Sequence, residues 1–342
     1  MERVITPSET QWAEFIALQP RTHVLQQPAW GTLKAAYGWG VERVALADGE
    51  KLIAGAQLLF RALPFRLGTM AYLPMGGFVA HDDLWMPLWN AIDACAKHHR
   101  AAFLKWEPGI YRDTPAPNFT RLSFRSSPQT IQPPNTILID ISGSDDEILA
   151  RMNQGTRRKI RQSGKNDVRY YEGTRADIPK FNAMMQTTGA RNEFGVHAPD
   201  YYELAYDLFV PQSAALILAE HEGVPLAGIM VFAAGKTAWY LYGASSNEKR
   251  NLMAAYGVQW AAIQWAKARG CTVYDLWGIP DADESTLEAQ FENRSDGLWG
   301  VYGFKRGWGG EVVRSAGAWD KVYNPLVYKL YQLALRYRNG SE

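Results

Sequence analysis

The chain has only two cysteines, Cys95 and Cys271, in 342 residues. Two thiols cannot build a disulfide framework or a four-cysteine zinc site, so a reducing cytoplasm is expected. The net charge is only +1, which removes any global cationic signature of a nucleic-acid binder. Long apolar runs are also missing. Residues 224–235 form one of the longest, well short of the ~20 residues a spanning helix needs, so no transmembrane segment is expected. The opening Met1-Glu2-Arg3 soon reaches Ser8-Glu9-Thr10, which does not read as a secretory leader. No Gly-x-Ser-x-Gly elbow is present, which speaks against an α/β-hydrolase. No P-loop and no Gly-x-Gly-x-x-Gly occurs, so nucleotide-hydrolase and Rossmann readings lack support. The six histidines show no metal spacing, and no metal is expected.

What remains is an ordinary globular composition, 47% hydrophobic and 21% charged, long enough for two domains or one large one. Aromatics are plentiful, with 13 Trp and 17 Tyr. Most belong in a core, but the supply suits a protein that holds a large amphipathic ligand.

The chain also echoes itself. Val41-Glu42-Arg43-Val44-Ala45-Leu46, then Asp48-Gly49, then Leu52-Ile53-Ala54-Gly55-Ala56-Gln57 spells a hairpin. Ala215-Leu216-Ile217-Leu218-Ala219, then Glu222-Gly223, then Pro225-Leu226-Ala227-Gly228 spells it again. Ala54-Gly55 and Ala227-Gly228 lie 173 apart. Tyr72-Leu73 precedes Tyr240-Leu241 by 168, Ile92 precedes Ile263 by 171, and Trp106 precedes Trp277 by 171. Each half is expected to be one unit of hairpin, third strand, amphipathic helix and fourth strand. That order resembles the GNAT-like acyltransferase architecture, so the expected fold is α/β (α+β), two GNAT-like domains related by internal duplication. A break is expected near Gly143-Ser144-Asp145-Asp146, and residues 113–134, rich in Pro, Ser and Thr, read as loop.

A GNAT enzyme that uses acetyl-CoA cradles pyrophosphate at the start of its main helix with Gln/Arg-x-x-Gly-x-Gly/Ala. Here that place holds Arg250-Asn251-Leu252-Met253-Ala254-Ala255. Arg250 and Ala255 match, but Met253 replaces the glycine that lets backbone approach phosphate, so an acyl-CoA donor is disfavoured.

The twin halves and the altered loop resemble the Fem (FemA, FemB, FemX) aminoacyltransferases. Leu25-Gln26-Gln27-Pro28-Ala29-Trp30-Gly31-Thr32-Leu33-Lys34 with Gly38-Trp39 is similar to the family's opening. Arg157-Arg158-Lys159-Ile160-Arg161 resembles its basic helix. Tyr242-Gly243-Ala244-Ser245-Ser246 with Tyr256 and Trp260 resembles its second-domain core. Gly303-Phe304-Lys305-Arg306-Gly307-Trp308-Gly309-Gly310, then Gly317 and Asp320, is similar to its C-terminal signature. The long helical arm some members insert is missing, so the compact FemX type is the nearer likeness. The resemblance implies a cytoplasmic aminoacyltransferase, with access to the inner face of the plasma membrane, that builds the peptidoglycan cross-bridge. It would move an amino acid from aminoacyl-tRNA, its co-substrate, to the side-chain amine of the third stem-peptide residue, with no cofactor. The acceptor would be UDP-MurNAc-pentapeptide or lipid II. The resemblance further implies that the C-terminal segment packs back on the first domain, giving residues 1–144 with 318–342, and 145–317. Two alternatives stay open: an acyl-CoA-dependent N-acyltransferase, and a non-catalytic tRNA- or precursor-binding protein.

The resemblance implies acceptor contacts at Lys34 and Tyr256. Tyr201 fits a further one, and His197 stands where an Arg four residues earlier would be expected. A histidine is only partly charged near neutral pH, which favours lipid II or a different head group over a UDP-linked acceptor. Arg250 is a phosphate contact or a surface charge. Residues 149–169 carry +6 in 21 positions, and Arg157, Arg158, Lys159 and Arg161 are candidates for tRNA phosphates. The last helix mixes Leu326, Val327, Leu330, Tyr331 and Leu335 with Lys329, Arg336 and Arg338, and could touch a membrane surface. Glu107, after the strand ending in Trp106, is a candidate for handling the proton of the incoming ammonium. Lys305 is the candidate for the oxyanion, or for a terminal phosphate, with Phe304 as an aromatic wall.

Overall fold

The computed structural model describes residues 2–339 apart from 113, 166, 193 and 194. The chain divides into two compact units, Met1–Gln132 with Arg314–Glu342, and Pro133–Val313. The first runs β1 (Glu2–Ile5), α1 (Glu9–Ala17), α2 (Pro28–Ala36), β2 (Gly40–Asp48), β3 (Lys51–Ala62), β4 (Thr69–Pro74), β5 (Phe78–Val79), α3 (Trp85–His98), β6 (Ala101–Glu107) and β7 (Arg125–Ser126). The second follows as β8 (Asn135–Asp140), α4 (Asp145–Arg151), α5 (Gln154–Ser163), β9 (Arg169–Glu172), α6 (Ile178–Asn192), α7 (Pro199–Phe209), β10 (Ala214–His221), β11 (Val224–Ala234), β12 (Thr237–Ser245), α8 (Ala254–Ala268), β13 (Val273–Asp275), α9 (Glu284–Gln290), α10 (Trp299–Lys305) and β14 (Glu311–Arg314). The chain then returns to the first unit as β15 (Trp319–Val322) and α11 (Pro325–Asn339).

Each unit has its own sheet. The first is ordered β1-β2-β3-β4-β6-β15-β7, with β5 beside β3; the second is ordered β14-β8-β13-β12-β11-β10-β9. The units divide earlier than the 144/145 and 317/318 boundaries expected from sequence. Asn135–Asp140 is a strand of the second sheet, with Ile139 opposite Tyr274, so the connection must precede it. The loop expected over 113–134 contains one short strand, β7, held by β15.

The duplication is visible in the registers. Ala45 lies opposite Gly55 and Leu218 opposite Gly228, both residues displaced by 173. The irregularity between Leu46 and Ala47 recurs between Ala219 and Glu220, at the same displacement. The turn Glu222-Gly223 has positive φ at both residues, 52° and 78°, matching the right-handed twist of the strands it joins. In each unit the third and fourth strands are parallel, β4 with β6 and β12 with β13. A parallel pair needs a crossover, and α3 and α8 supply it. α3 buries Leu88, Trp89 and Ile92, and α8 buries Val258, Ala262 and Ile263, each set at helical spacing. The fold is therefore two GNAT-like domains related by duplication. One difference is local: Trp106 lies within β6, whereas Trp277 lies beyond β13, at φ 58°.

Among the described residues, no helix is long and apolar enough to cross a membrane.

Candidate functional site

In the second unit, β13 pairs β12 only through Trp239–Asp275, while β12 runs on to Ser245. α8 begins at the gap this leaves. A cavity of about 640 Å³ opens there, between the far end of β12, the start of α8, and side chains from α5, α6 and α10.

The irregular step in β12 decides which aromatics face it. Tyr242 lies opposite Met230 and Tyr240 opposite Val231, so Leu241 is an extra residue in the strand. Alternation would put Tyr240 and Tyr242 on one face; the bulge separates them. Tyr240 lines the cavity and packs on the core beside α8. Tyr242 instead meets Tyr201 and Tyr202 of α7, with the Tyr201 and Tyr242 hydroxyls 3.0 Å apart. His197 stacks on Tyr201 at 3.8 Å between ring centroids. Tyr201 is therefore a buried core residue on the α7 side, and neither it nor His197 lines the cavity.

Met253 ends the tight turn Arg250–Leu252 at φ 57°, the left-handed conformation that glycine adopts without strain. The backbone shape a glycine would give is kept, while the Met253 side chain takes up room in the cavity wall. Tyr256, in the first turn of α8, is edge-on to Phe304 at 5.0 Å and parallel to Trp308 at 6.0 Å. Lys159 donates to the Tyr256 hydroxyl at 3.0 Å. Arg191, from α6, donates to Ser245 Oγ at 2.9 Å, and burial beside the Arg250 charge lowers its pKa. Arg250 is exposed at the rim. The cavity thus offers aromatic rings, Tyr240, Tyr256 and Phe304, and several cations, with Glu248 as a carboxylate in the lining.

Of the residues expected from sequence, Lys159, Arg250, Tyr256 and Phe304 meet in this one cavity. Lys305 does not line it. α10 presents Gly300, Val301 and Phe304 outward, while Lys305 turns into the core and is 6% exposed. Its Nζ donates to the Gly278 carbonyl at 2.7 Å and to the Trp277 carbonyl at 3.4 Å. Burial lowers its pKa to about 7, against the pull of Asp275. Asp275, itself pushed up to about 6 by burial, accepts from the Thr136 hydroxyl and from the Trp277 N–H at 2.7 Å.

The basic helix α5 splits into three roles. Arg157 donates to the Ala150 and Met152 carbonyls, neutralising the C-terminal end of α4. Lys159 reaches the cavity. Arg158 and Arg161 are exposed and, with Lys165 and the half-buried Arg157, line a separate hollow of about 880 Å³.

The remaining candidates belong to the first unit. Lys34, on α2, stands 4.5 Å from the Trp30 ring centroid, and burial with the Arg61 charge lowers its pKa to about 8. Glu107, at the end of β6, accepts from the Tyr72 hydroxyl, from Ile131 N–H at 2.6 Å and from Gln132 N–H at 3.1 Å. Burial raises its pKa against those three donors. The carboxylate anchors the chain where it leaves the unit. Among the described residues, no group of His, Cys, Asp and Glu could hold a metal ion.

Sequence reasoning missed Tyr240, Arg191 and Asp275 as parts of this region. Only Asp275 left a signal, a carboxylate inside the apolar run Tyr274 to Trp277.

The FemAB family model matches residues 7–125, 118–222 and 219–336. A lipid II:glycine glycyltransferase from Staphylococcus saprophyticus is 25% identical, over 93% of this chain and 92% of that protein. One from Staphylococcus aureus strain MRSA252 is 24% identical over the same shares. The first of these alignments runs over 396 positions, more than the 342 residues here, so that relative carries inserted residues. A crystal structure of FemX superposes with a TM-score of 0.86 at 23% identity, covering 96% of this chain and 99% of that one. A tandem GNAT protein from the clavulanic acid biosynthesis pathway superposes at 0.56, with 11% identity over 94% and 98%.

Proposed function

The chain belongs to the FemAB family, and from that premise we propose that it transfers an aminoacyl group from aminoacyl-tRNA to the side-chain amine of a peptidoglycan stem peptide, with lipid II as the acceptor. The observation that carries this reading is the near end-to-end match to proteins named lipid II:glycine glycyltransferases, 93% of this chain on 92% of theirs. Such a reaction takes place at the inner face of the plasma membrane, where a lipid-linked acceptor is anchored.

The chemistry is aminolysis of an ester. The acceptor amine attacks the ester carbonyl, a C–N bond forms, the C–O bond to the tRNA ribose breaks, and the amine's proton leaves with that ribose oxygen. No protein nucleophile, metal or cofactor is needed; the protein orients two bulky anionic substrates and favours the neutral amine. The cavity at the start of α8 suits the donor end. Phe304 offers a ring on which a terminal base can stack, with Tyr256 edge-on beside it, and Lys159, Arg191 and Arg250 offer charge to its phosphates. The exposed Arg158 and Arg161 extend that cationic surface for the body of the tRNA. Lys34 serves the acceptor's phosphates; near neutral pH its ammonium is charged, and it is lost above about pH 8.

Two candidates act best as positioning residues. Lys305 holds residues 277 and 278, next to the point where β12 and β13 part. Glu107 holds residues 131 and 132 with all its hydrogen bonds committed to the protein. Met253 weighs against an acyl-CoA donor, because its side chain fills space that a pyrophosphate would need beside the backbone.

The test is incubation of the purified chain with a mixed pool of charged tRNAs and either lipid II or UDP-MurNAc-pentapeptide, followed by mass spectrometry. A mass gain of one or more aminoacyl residues on lipid II, abolished by ribonuclease, is expected. No gain on either acceptor, or a gain only when acyl-CoA is supplied, overturns the reading.

A further inference from the structure

The β3–β4 connection ends in Leu63-Pro64-Phe65-Arg66-Leu67-Gly68. Phe65 is 92% exposed, the most exposed large apolar side chain described. It stands at φ 55°, and Arg66 follows at φ 58°. Two successive non-glycine residues in the left-handed region are strained, and here the strain only lifts a phenyl ring into solvent.

α11 adds a second apolar feature to the same unit. Val327, Tyr328 and Tyr331 pack toward Phe103 and Leu63. Leu326, Leu330, Leu333 and Tyr337 follow one another at spacings of four, three and four, which sets them in one stripe on the far side of the helix. They are 70%, 47%, 50% and 85% exposed. The residues after Phe65 and the start of α11 border one hollow of about 430 Å³, whose lining includes Arg66, Leu67, Lys97, Arg100, Asn324 and Val327.

The charge around them has one sign. Lys329 and Arg336, two turns apart, lie along one flank of the stripe, and Arg66, Lys97 and Arg100 border the hollow. Residues 61–68 and 325–339 contain no Asp or Glu. Among the described residues, none of these five cations has an ion-pair partner.

We propose that the β3–β4 tip and the outer face of α11 form a docking surface for an anionic phospholipid bilayer. Phe65 and the leucine stripe enter the acyl boundary, and the five cations meet the headgroup phosphates. The chemistry separates this partner from two others. RNA phosphates would match the cations but leave three aliphatic leucines and a phenyl ring unused. A second copy of the chain, meeting this face by two-fold symmetry, would set the same unpaired cations against themselves. The inference concerns where the protein sits and stands whether its acceptor is lipid-linked or soluble.

Flotation of the full chain with vesicles of phosphatidylcholine, with and without phosphatidylglycerol, tests it. Binding to the anionic vesicles is expected to be stronger by at least about tenfold and to weaken with salt. Phe65→Asn, which tolerates the left-handed turn, and Leu330→Gln should each lower partitioning by about tenfold. Arg66→Glu with Lys329→Glu should remove the preference for anionic lipid. All four positions are exposed, so thermal midpoints and transfer to a soluble acceptor should not change; that keeps failure of the docking surface distinct from failure of the proposed reaction. Absence of binding to anionic vesicles, or binding indifferent to both apolar changes, overturns the proposal. Charge variants that weaken tRNA retention while vesicles are ignored assign the patch to RNA and also overturn it. Self-association without lipid, abolished by Leu330→Gln, overturns it in favour of a second copy.

Discussion

Lys305 Nζ lies 2.7 Å from the Gly278 carbonyl oxygen, so a buried lysine holds the backbone just beyond β13. Burial lowers the Lys305 pKa from 10.5 to about 7 and raises that of Asp275 from 3.8 to about 6. Between about pH 7 and 10.5 the unfolded chain therefore binds the more protons at Lys305, and stability rises with pH. Between 3.8 and about 6 the folded chain binds the more at Asp275, and stability falls with pH. This pair should thus contribute a stability minimum between about pH 6 and 7. Thermal unfolding of Lys305→Met across pH should lack the rise above pH 7 that the parent shows. If Lys305 positions residues 277 and 278, that variant should also lose on the order of 10²-fold in turnover at saturating substrates. Its acceptor KM should stay near that of the parent.

Glu107 should prove structural first. Glu107→Gln sets an amide group among three donors, leaving one buried N–H or O–H unsatisfied. The expected cost is about 1–3 kcal/mol in chemical denaturation. The pH dependence of turnover should keep its shape. A flattened acid limb with unchanged stability would instead make Glu107 the proton acceptor.

Lys105 and Asp320 are both fully buried in the first unit, 2.9 Å apart, and join β6 to β15. Ser127 and Tyr328 also donate to Asp320, at 2.7 and 2.8 Å. Lys105→Met leaves an unpaired buried carboxylate and should cost about 3–5 kcal/mol. Adding Asp320→Leu should restore much of that stability. A double variant no more stable than Lys105→Met would mean that the hydrogen bonds to Asp320, more than its charge pair, hold β15 in place.

The three arginines of α5 should separate in one assay. Arg158→Glu with Arg161→Glu, both exposed, should weaken tRNA binding and reduce the magnitude of the salt slope by about 1–2. Thermal stability should stay within about 0.5 kcal/mol of the parent. Arg157→Glu should lower stability as well, because Arg157 serves the carbonyls at the end of α4. Equal effects of all three on tRNA and on stability would refute this division.

The sequence by itself determined the architecture. Hairpin turns, strand runs and helical spacing are local patterns, and their recurrence at offsets of 168 to 173 was enough to show two copies of one unit. It also carried the family, through motifs in order along most of the chain, and it named Lys159, Arg250, Tyr256 and Phe304, which the fold brings to one cavity. What only the tertiary structure decided was which way each side chain faces. Phe304 and Lys305 are adjacent in the chain, yet one lines the cavity and the other donates to carbonyls 27 and 28 residues away. A single extra residue, Leu241, sends Tyr240 and Tyr242 to opposite faces of β12. Lys105 meets Asp320 across 215 positions, and β8 joins the second sheet although it precedes the expected break. Each of these outcomes depends on register and on partners remote in sequence. Periodicity and charge counts describe a segment against its near neighbours, so they cannot contain the partner that turns a basic side chain inward or leaves it at the surface.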